Sequence, residues 1–140
     1  MHTLLVEKET QIEQAADLLL HLRTDYNRSQ LIQQIKQQQT KGYQLAITYD
    51  ALNAVCVAGF VISEKLAWKK HLYVDDLVSE PTHRSKGAGA AMIQWLKDYA
   101  SAQGCQQLHL DSGVVKFAAH KFYLREGFRI ASHHFSIIEL

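Results

Sequence analysis

Apolar residues along this chain recur at two spacings, and the switches between them outline its elements. Thr3–Val6 reads as a short strand, and Ile12, Ala15, Ala16, Leu19 and Leu20 recur at helical spacing, predicting a first helix from Gln11 to Arg23. Leu31, Ile32 and Ile35 form the stripe of a glutamine-rich second helix over Arg28–Gln39, which stops at Lys41-Gly42. Tyr43–Tyr49 and Val55–Ile62 are β-rich runs joined by Asp50-Ala51-Leu52-Asn53, a hairpin connection by composition. His71–Ser79 is the next strand, and Ala88, Met92, Trp95, Leu96 and Tyr99 mark the core face of a third helix that ends at Gly104. Gln107, His109 and Asp111 alternate with Leu108 and Leu110, the pattern of a strand with one polar and one apolar face. A last helix is predicted over Val115–Glu126, its buried stripe made of Val115, Ala118, Ala119 and Phe122. Phe128–Leu140 is predicted to supply the final strands, with a turn at Ala131-Ser132.

With 140 residues, 47% hydrophobic content and one proline, the chain is read as a single domain spanning 1–140, with no repeat or linker to divide it. A net charge of +1, with fifteen basic residues spread along the sequence, provides no strong field for nucleic acid, which is not expected as the main partner. Glu7, Lys8 and Glu9 stand where a signal peptide would be apolar. The longest apolar stretch, Ala51–Ile62, is interrupted by Asn53 and too short to span a bilayer, so neither export nor a membrane partner is expected. Cys56 in a strand-like run and Cys105 after a helix-ending glycine read as two unpaired thiols, which places the protein in the reducing cytoplasm. Eight histidines include no His-x-x-x-His pair, and there is no Cys-x-x-Cys, so no metal is expected.

The run Arg84-Ser85-Lys86-Gly87-Ala88-Gly89 lies between a strand and a helix. Glycines there let the backbone turn tightly, and the helix that follows aims its unsatisfied amides and partial positive charge at the same spot, so an anion is the expected ligand. The same glycines would also suit a plain turn into a helix. A nucleoside-triphosphate loop would end in Gly-Lys-Ser/Thr and a dinucleotide fold would carry three spaced glycines, and neither pattern is present.

The segment Tyr73–Tyr99 resembles instead the signature of the GNAT N-acetyltransferases, with Arg84, Gly87 and Gly89 in its three defined loop positions. Ala118-Ala119-His120-Lys121-Phe122-Tyr123-Leu124-Arg125-Glu126-Gly127-Phe128 resembles the second signature of the same family, in the family's order. The resemblance implies an α/β (α+β) fold: a central, mixed but mostly antiparallel twisted sheet, flanked by about four helices, with an αα insertion after the first strand and a splay at the fourth. It also implies acetyl-coenzyme A as cosubstrate, with its pyrophosphate on Arg84, Ser85, Lys86, Gly87, Ala88, Gly89 and Ala90. Leu77, Val78 and Ser79 would serve the pantetheine arm, chiefly through backbone groups, although the family usually has valine where Ser79 stands. Phe122 joins the coenzyme site by the same resemblance. Asp111 and Ser112 occupy the place where the family often has asparagine, and either could instead cap the following turn.

Acetyl transfer to an amine needs a proton acceptor, because a free ammonium has a pKa of about 10.4, and a proton for the departing thiolate. Asp75 and Asp76, an acidic pair like that of polyamine-type relatives, are candidates for base and for amine binding. Strand alternation puts at most one of them toward a given pocket without choosing between them. Tyr123 matches the family tyrosine that protonates the thiolate, while its place one step round from Phe122 also suits an aromatic at the core's edge. His133 and His134 would sit on opposite strand faces, so that one of them, taken as His134, lines the acceptor pocket.

Ala119–Leu140 is similar to the C-terminal end of aminoalkylphosphonate N-acetyltransferases, which makes a small-molecule amine the first substrate expectation. A phosphonate would need cations, for which Arg23, Arg28 and Lys36 are available. The function expected is direct transfer in a ternary complex, since neither cysteine falls in a motif. The alternatives are a non-catalytic acyl-coenzyme A-binding module and a protein or peptide N-acetyltransferase, and a homodimer stays open as the assembly.

Overall fold

The computed structural model describes every residue except Ser85 and divides the chain into two compact units, Met1–Leu110 and Asp111–Leu140. The first unit holds a five-stranded sheet in chain order: β1 (His2–Leu5), β2 (Tyr43–Asp50), β3 (Asn53–Lys65), β4 (Lys69–Ser79) and β5 (Gln107–Leu110). Neighbours from β1 to β4 pair antiparallel and β4 pairs with β5 in parallel, giving the mixed, mostly antiparallel sheet expected. Helices α1 (Glu9–Leu19) and α2 (Arg28–Gln39) follow β1, and α3 (Ala88–Ala102) joins β4 to β5.

Alternation along β2 shows how three layers form. Tyr43, Leu45, Ile47 and Tyr49 project into a core with Ile12, Ala15, Ala16 and Leu19 of α1 and Leu31 and Ile35 of α2. The other face of the sheet carries Phe60, whose ring meets Trp95 and Tyr99 of α3, and Gln44, which accepts a hydrogen bond from the Tyr99 hydroxyl at 3.1 Å. With both faces covered, β2 and the stretch of β3 from Val55 to Phe60 are buried rather than half-exposed. Met92, Ile93, Leu96 and Ala100 are the buried stripe of α3, while Trp95 and Tyr99, expected in the core, lie half-buried at its rim.

Local chemistry sets the helix ends. Asn27 accepts from the Gln30 N–H at 2.9 Å while the Gln30 side chain accepts from the Asn27 N–H at 3.1 Å, so α2 begins with a reciprocal cap at the predicted residue. α1 starts two residues earlier than its apolar spacing indicates, because the Gln11 side chain accepts from the backbone N–H of both Glu7 and Lys8. It ends at Leu19 rather than Arg23. The Asp50–Asn53 hairpin closes with Ala51 in the left-handed region at φ 53°.

The second unit contains α4 (Phe117–Arg125) and an irregular C-terminal segment. Two expectations fail here. The stripe Val115, Ala118, Ala119 and Phe122 is not buried: Val115 precedes the helix and is 74% exposed, and α4 has no buried residue. Phe128–Leu140, predicted as strands, forms no ladder within this unit, and within it His133 and His134 do not occupy opposite faces of a strand. An alternating sequence can make a strand only where an edge accepts its backbone, and within this unit there is no strand to offer one. Among the described residues no helix is long and apolar enough to cross a membrane, and no three His, Cys, Asp or Glu side chains gather as a metal-binding group.

Candidate functional site

Pairing along β4 is lost on one side only. Its parallel register with β5 runs from His71–Gln107 to Val74–Leu110 and stops where β5 ends, whereas its antiparallel register with β3 continues from Asp76–Gly59 to Ser79–Cys56. From Asp75 onward β4 therefore has no β5 neighbour, which is the splay at the fourth strand. The Glu80 N–H donates to the Val55 carbonyl at 2.8 Å, so Glu80 faces β3. Backbone groups alternate sides along a strand, which turns those of Leu77 and Ser79 away from β3, into the splay, and those of Val78 toward it. A ligand laid along this edge could complete the ladder at Leu77 and Ser79.

The register also shifts at the acidic pair. Gly59 faces Asp76 and Phe60 faces Val74, so Asp75 is an extra residue bulged out of β4. Strict alternation, which would have put the two carboxylates on opposite faces, does not hold across a bulge. The structure separates them by partner instead. Asp76 accepts from the Tyr43 hydroxyl at 2.6 Å and forms an ion pair with Arg23 at 2.7 Å, and Arg23 also donates to the Asp75 carbonyl at 3.0 Å. Tyr43 is buried, and the buried setting together with the Asp76 charge holds its phenol far above the ordinary value and therefore neutral. Asp75 is exposed; partial desolvation and the neighbouring Asp76 charge raise its pKa, which Arg23 only partly offsets. One carboxylate is thus anchored, and the other is available and more basic than an ordinary aspartate.

Sequence reasoning missed the parts that make this arrangement. The Tyr43 hydroxyl reaches Asp76 across Gly59, where a Cβ would lie 1.7 Å from that oxygen. An isolated glycine inside the β-rich run Val55–Ile62 was the available signal, since such glycines mark close approach. Arg23, considered as a cation for a phosphonate, is committed to Asp76, and its two companions are committed as well: Arg28 pairs with Asp17 at 2.7 Å and Lys36 pairs with Glu9.

Beyond Ser79, Glu80 accepts from the Thr82 N–H at 2.8 Å and from the Thr82 hydroxyl, capping a short 3-10 turn at Pro81–His83 that leads toward the loop. These hydrogen bonds, with the Thr82 hydroxyl foremost, hold the Glu80 carboxyl below its ordinary pKa. Arg84 and Lys86 are exposed, and Ser85 lies outside the described residues. Gly87 is left-handed at φ 91° immediately before α3, whose first intrahelical bond is Ala91 N–H to the Gly87 carbonyl at 3.0 Å. The amides of Ala88, Gly89 and Ala90 precede that bond and so have no partner within the 15-residue helix. Buried Cys56 interacts with the Ser79 side chain, yet burial pushes its thiol up to about 11; Cys105 is also raised by desolvation. Neither is activated as a nucleophile.

In the second unit the Gly-Phe of the second motif has a structural meaning. Gly127 is left-handed at φ 97°, its N–H donates to the Leu124 carbonyl at 3.2 Å, and the Phe128 N–H donates to the Tyr123 carbonyl at 3.0 Å. This is a Schellman end to α4, with Phe128 set edge-on to Tyr123 at 5.6 Å. Tyr123 is half-buried, its ring held between Phe128 and Phe122, rather than a core residue. His134 and Asp111, two predicted site residues, come together at 3.6 Å. Ser112 is half-buried beside them in sequence, and His120 contacts the Gly113 carbonyl at 2.7 Å.

Residues 11–128 match the model of the acetyltransferase (GNAT) family. An uncharacterised N-acetyltransferase of Bacillus subtilis is 30% identical over 122 residues, covering 84% of each chain. The aminoalkylphosphonate N-acetyltransferase of Salmonella typhimurium is 29% identical over 63 residues, 45% of this chain and 41% of that one. Among solved structures, an aminoglycoside N-acetyltransferase in complex with coenzyme A superposes with a TM-score of 0.85 at 14% identity, over 99% of this chain and 95% of that one.

Proposed function

The chain belongs to the GNAT acetyltransferase family and is an acyl-coenzyme A-dependent N-acetyltransferase; on that premise we propose that it moves acetyl from acetyl-coenzyme A directly to the primary amine of a small molecule. The observation that carries this reading is the one-sided loss of pairing in β4, where the free backbone of Leu77 and Ser79 adjoins the bulged carboxylate of Asp75. The residues fit the cosubstrate. Arg84, Lys86 and the first-turn amides of α3 after Gly87 receive the pyrophosphate, and the free edge of β4 receives the amide-bearing arm. Backbone N–H donors on that edge stabilise charge that develops on the thioester oxygen.

Asp75 attracts the ammonium and, directly or through a water, accepts its proton, a role its raised pKa favours. Asp76 acts through position: it ties Arg23 and Tyr43 to the bulge and so fixes where Asp75 stands. Tyr123 donates a proton to the departing thiolate, a slightly uphill transfer from a phenol of pKa about 10 to a sulfur whose thiol ionises at about 8.5. With both thiols free and raised in pKa, no acyl-enzyme is formed, and free thiols also fit a reducing cytoplasm.

The paired state of Arg23, Arg28 and Lys36 favours a cationic amine over an aminoalkylphosphonate as acceptor. The test is release of thiol from acetyl-coenzyme A with polyamines, aminoglycosides, amino acids, aminoalkylphosphonates and short peptides. Turnover on amines without an acidic group is expected. Preference for the phosphonates would overturn the acceptor class, and preference for peptides would point to a protein N-acetyltransferase. Coenzyme binding without turnover on any acceptor would favour the non-catalytic module.

A further inference from the structure

Between β4 and the glycine run the chain makes one 3-10 turn, Pro81–His83, and Arg84 follows it directly in extended conformation. Whatever holds this turn therefore sets where the loop toward α3 begins. Its backbone is tied to β3 by the Glu80 N–H, which donates to the Val55 carbonyl at 2.8 Å, and it closes on itself where the His83 N–H donates to the Glu80 carbonyl at 2.9 Å. The His83 side chain adds a tie to a different element. Its half-buried ring lies between two carboxylates: Nδ1 is 3.4 Å from Glu80, and Nε2 is 3.9 Å from Asp50, the last residue of β2 at the hairpin.

A neutral imidazole carries a hydrogen on one ring nitrogen and a lone pair on the other. With a carboxylate oxygen facing each nitrogen, the neutral ring would set its lone pair against one of the two negative charges. Only the doubly protonated ring is attracted by both. Glu80 keeps its charge, because the Thr82 hydroxyl foremost, and His83 among the rest, hold its carboxyl below the ordinary value. At these distances the contacts pair charges rather than form hydrogen bonds, so the tie is weak and is released with the ring's proton. Within the first unit, Asp17 of α1 and His21 just beyond it line the open cavity that Glu80, Thr82 and His83 also line, and Asp17 is paired with Arg28 at 2.7 Å. Arg84 is next in the chain and exposed.

We propose that His83 is a positioning residue for the coenzyme: as an imidazolium it clasps the turn to the β2–β3 hairpin and so pre-sets Arg84, and the chain beyond it, for the pyrophosphate. Binding then costs less ordering, and the coenzyme is held more tightly in mildly acidic than in mildly alkaline solution. The inference rests on the reading of Arg84, Lys86 and the α3 amides as the pyrophosphate site.

The probe is coenzyme A lacking its 3′-phosphate. Its pyrophosphate keeps its charge throughout the range, whereas a phosphate monoester titrates at about pH 6. Calorimetric titration of the whole protein at about pH 5.5 and about pH 8, either side of the ordinary imidazole value, should show wild type binding about two- to fivefold more tightly at the lower pH, the scale of an exposed charge pair. His83→Gln and Asp50→Asn should each remove this dependence and bind at both pH values as weakly as wild type does at the higher one. His83→Lys, which keeps a cation, should bind tightly at both. In turnover the same losses should appear in the KM for the coenzyme and not in kcat.

The sign of the Asp50→Asn effect separates a clasp from a simple field. Removing a negative charge near an anion site tightens binding if these side chains act only through their charge, so tighter binding by Asp50→Asn would overturn the proposal. An unchanged pH dependence in His83→Gln would overturn it as well. Arg84→Ala tests the underlying reading by itself. Wild-type affinity in that variant would refute the pyrophosphate site and the clasp with it, whereas weakened binding there, beside an unaltered pH dependence in His83→Gln and Asp50→Asn, would refute the clasp alone.

Discussion

Gly59→Ala tests how the sheet builds the acidic bulge. A methyl at residue 59 would sit 1.7 Å from the Tyr43 hydroxyl and 2.3 Å from the ring carbon that bears it, and because Tyr43 is buried its ring cannot swing into solvent. Forcing the ring aside is overpacking, which costs about 1–3 kcal/mol. It also breaks the 2.6 Å hydrogen bond to Asp76, and a hydrogen bond to a charged group contributes about 1.5–3 kcal/mol. The two costs overlap, so about 3–5 kcal/mol of stability should be lost. For a chain of this length that lowers the melting temperature by about 10–15 °C. Urea unfolding of wild type, Gly59→Ala, Tyr43→Leu and the double variant completes a cycle. In the Tyr43→Leu background the slot is open, so Gly59→Ala should cost less than about 1 kcal/mol, leaving a coupling above about 2 kcal/mol. Additivity within about 0.5 kcal/mol would refute the contact as the reason for glycine at 59.

Gly87→Ala meets open space, so its cost comes from backbone conformation alone. At φ 91° an alanine should cost about 1–2 kcal/mol, and the turn that presents the α3 amides should relax. Titration with coenzyme A should show weaker affinity at an unchanged acceptor KM. Cys56, ordinarily ionising near 9 and raised in the fold to about 11, keeps its stability contribution below pH 9 and loses it as pH climbs through 11. Wild type should therefore lose about 2–3 kcal/mol more than Cys56→Ala between pH 8 and 11, read by urea unfolding at each pH. At pH 7 the turnover of Cys56→Ala and of Cys105→Ala should stay within about threefold of wild type, whereas an acyl-enzyme route would lose about a hundredfold or more with one of them.

Much of this fold was legible because local chemistry and pattern agreed. The stripe Leu31, Ile32 and Ile35 marked α2, whose start the Asn27–Gln30 cap sets in the structure, the Asp50–Asn53 turn marked the hairpin, and the glycine run marked the entry to α3. The bulge at Asp75 was not legible, because a bulge is a property of two strands in register and Asp75-Asp76 looks the same with or without an extra residue opposite Gly59. The roles of Tyr43 and Arg23 were hidden for the same reason: they lie 33 and 53 residues from Asp76 in sequence. The final strands were misjudged because alternation records what a segment can pair with and not whether an edge is present within its own unit. In α4 the small and aromatic residues recur at helical spacing, yet the chain uses them to hold Tyr123 against Phe122 and Phe128 rather than to fill a core.

The central claim is that the bulged Asp75, and not its anchored neighbour, accepts the proton of the amine. The most direct test is the pH dependence of kcat/KM for acetyl transfer in wild type, Asp75→Asn and Asp76→Asn, each checked for folding. Because the Asp75 pKa is raised, the acidic limb of the wild-type profile should lie above the ordinary aspartate value of 3.8. Asp75→Asn should abolish that limb and lower the plateau by about a hundredfold or more, while Asp76→Asn keeps the limb. A profile and plateau unchanged in Asp75→Asn, or a limb lost only in Asp76→Asn, would contradict the account.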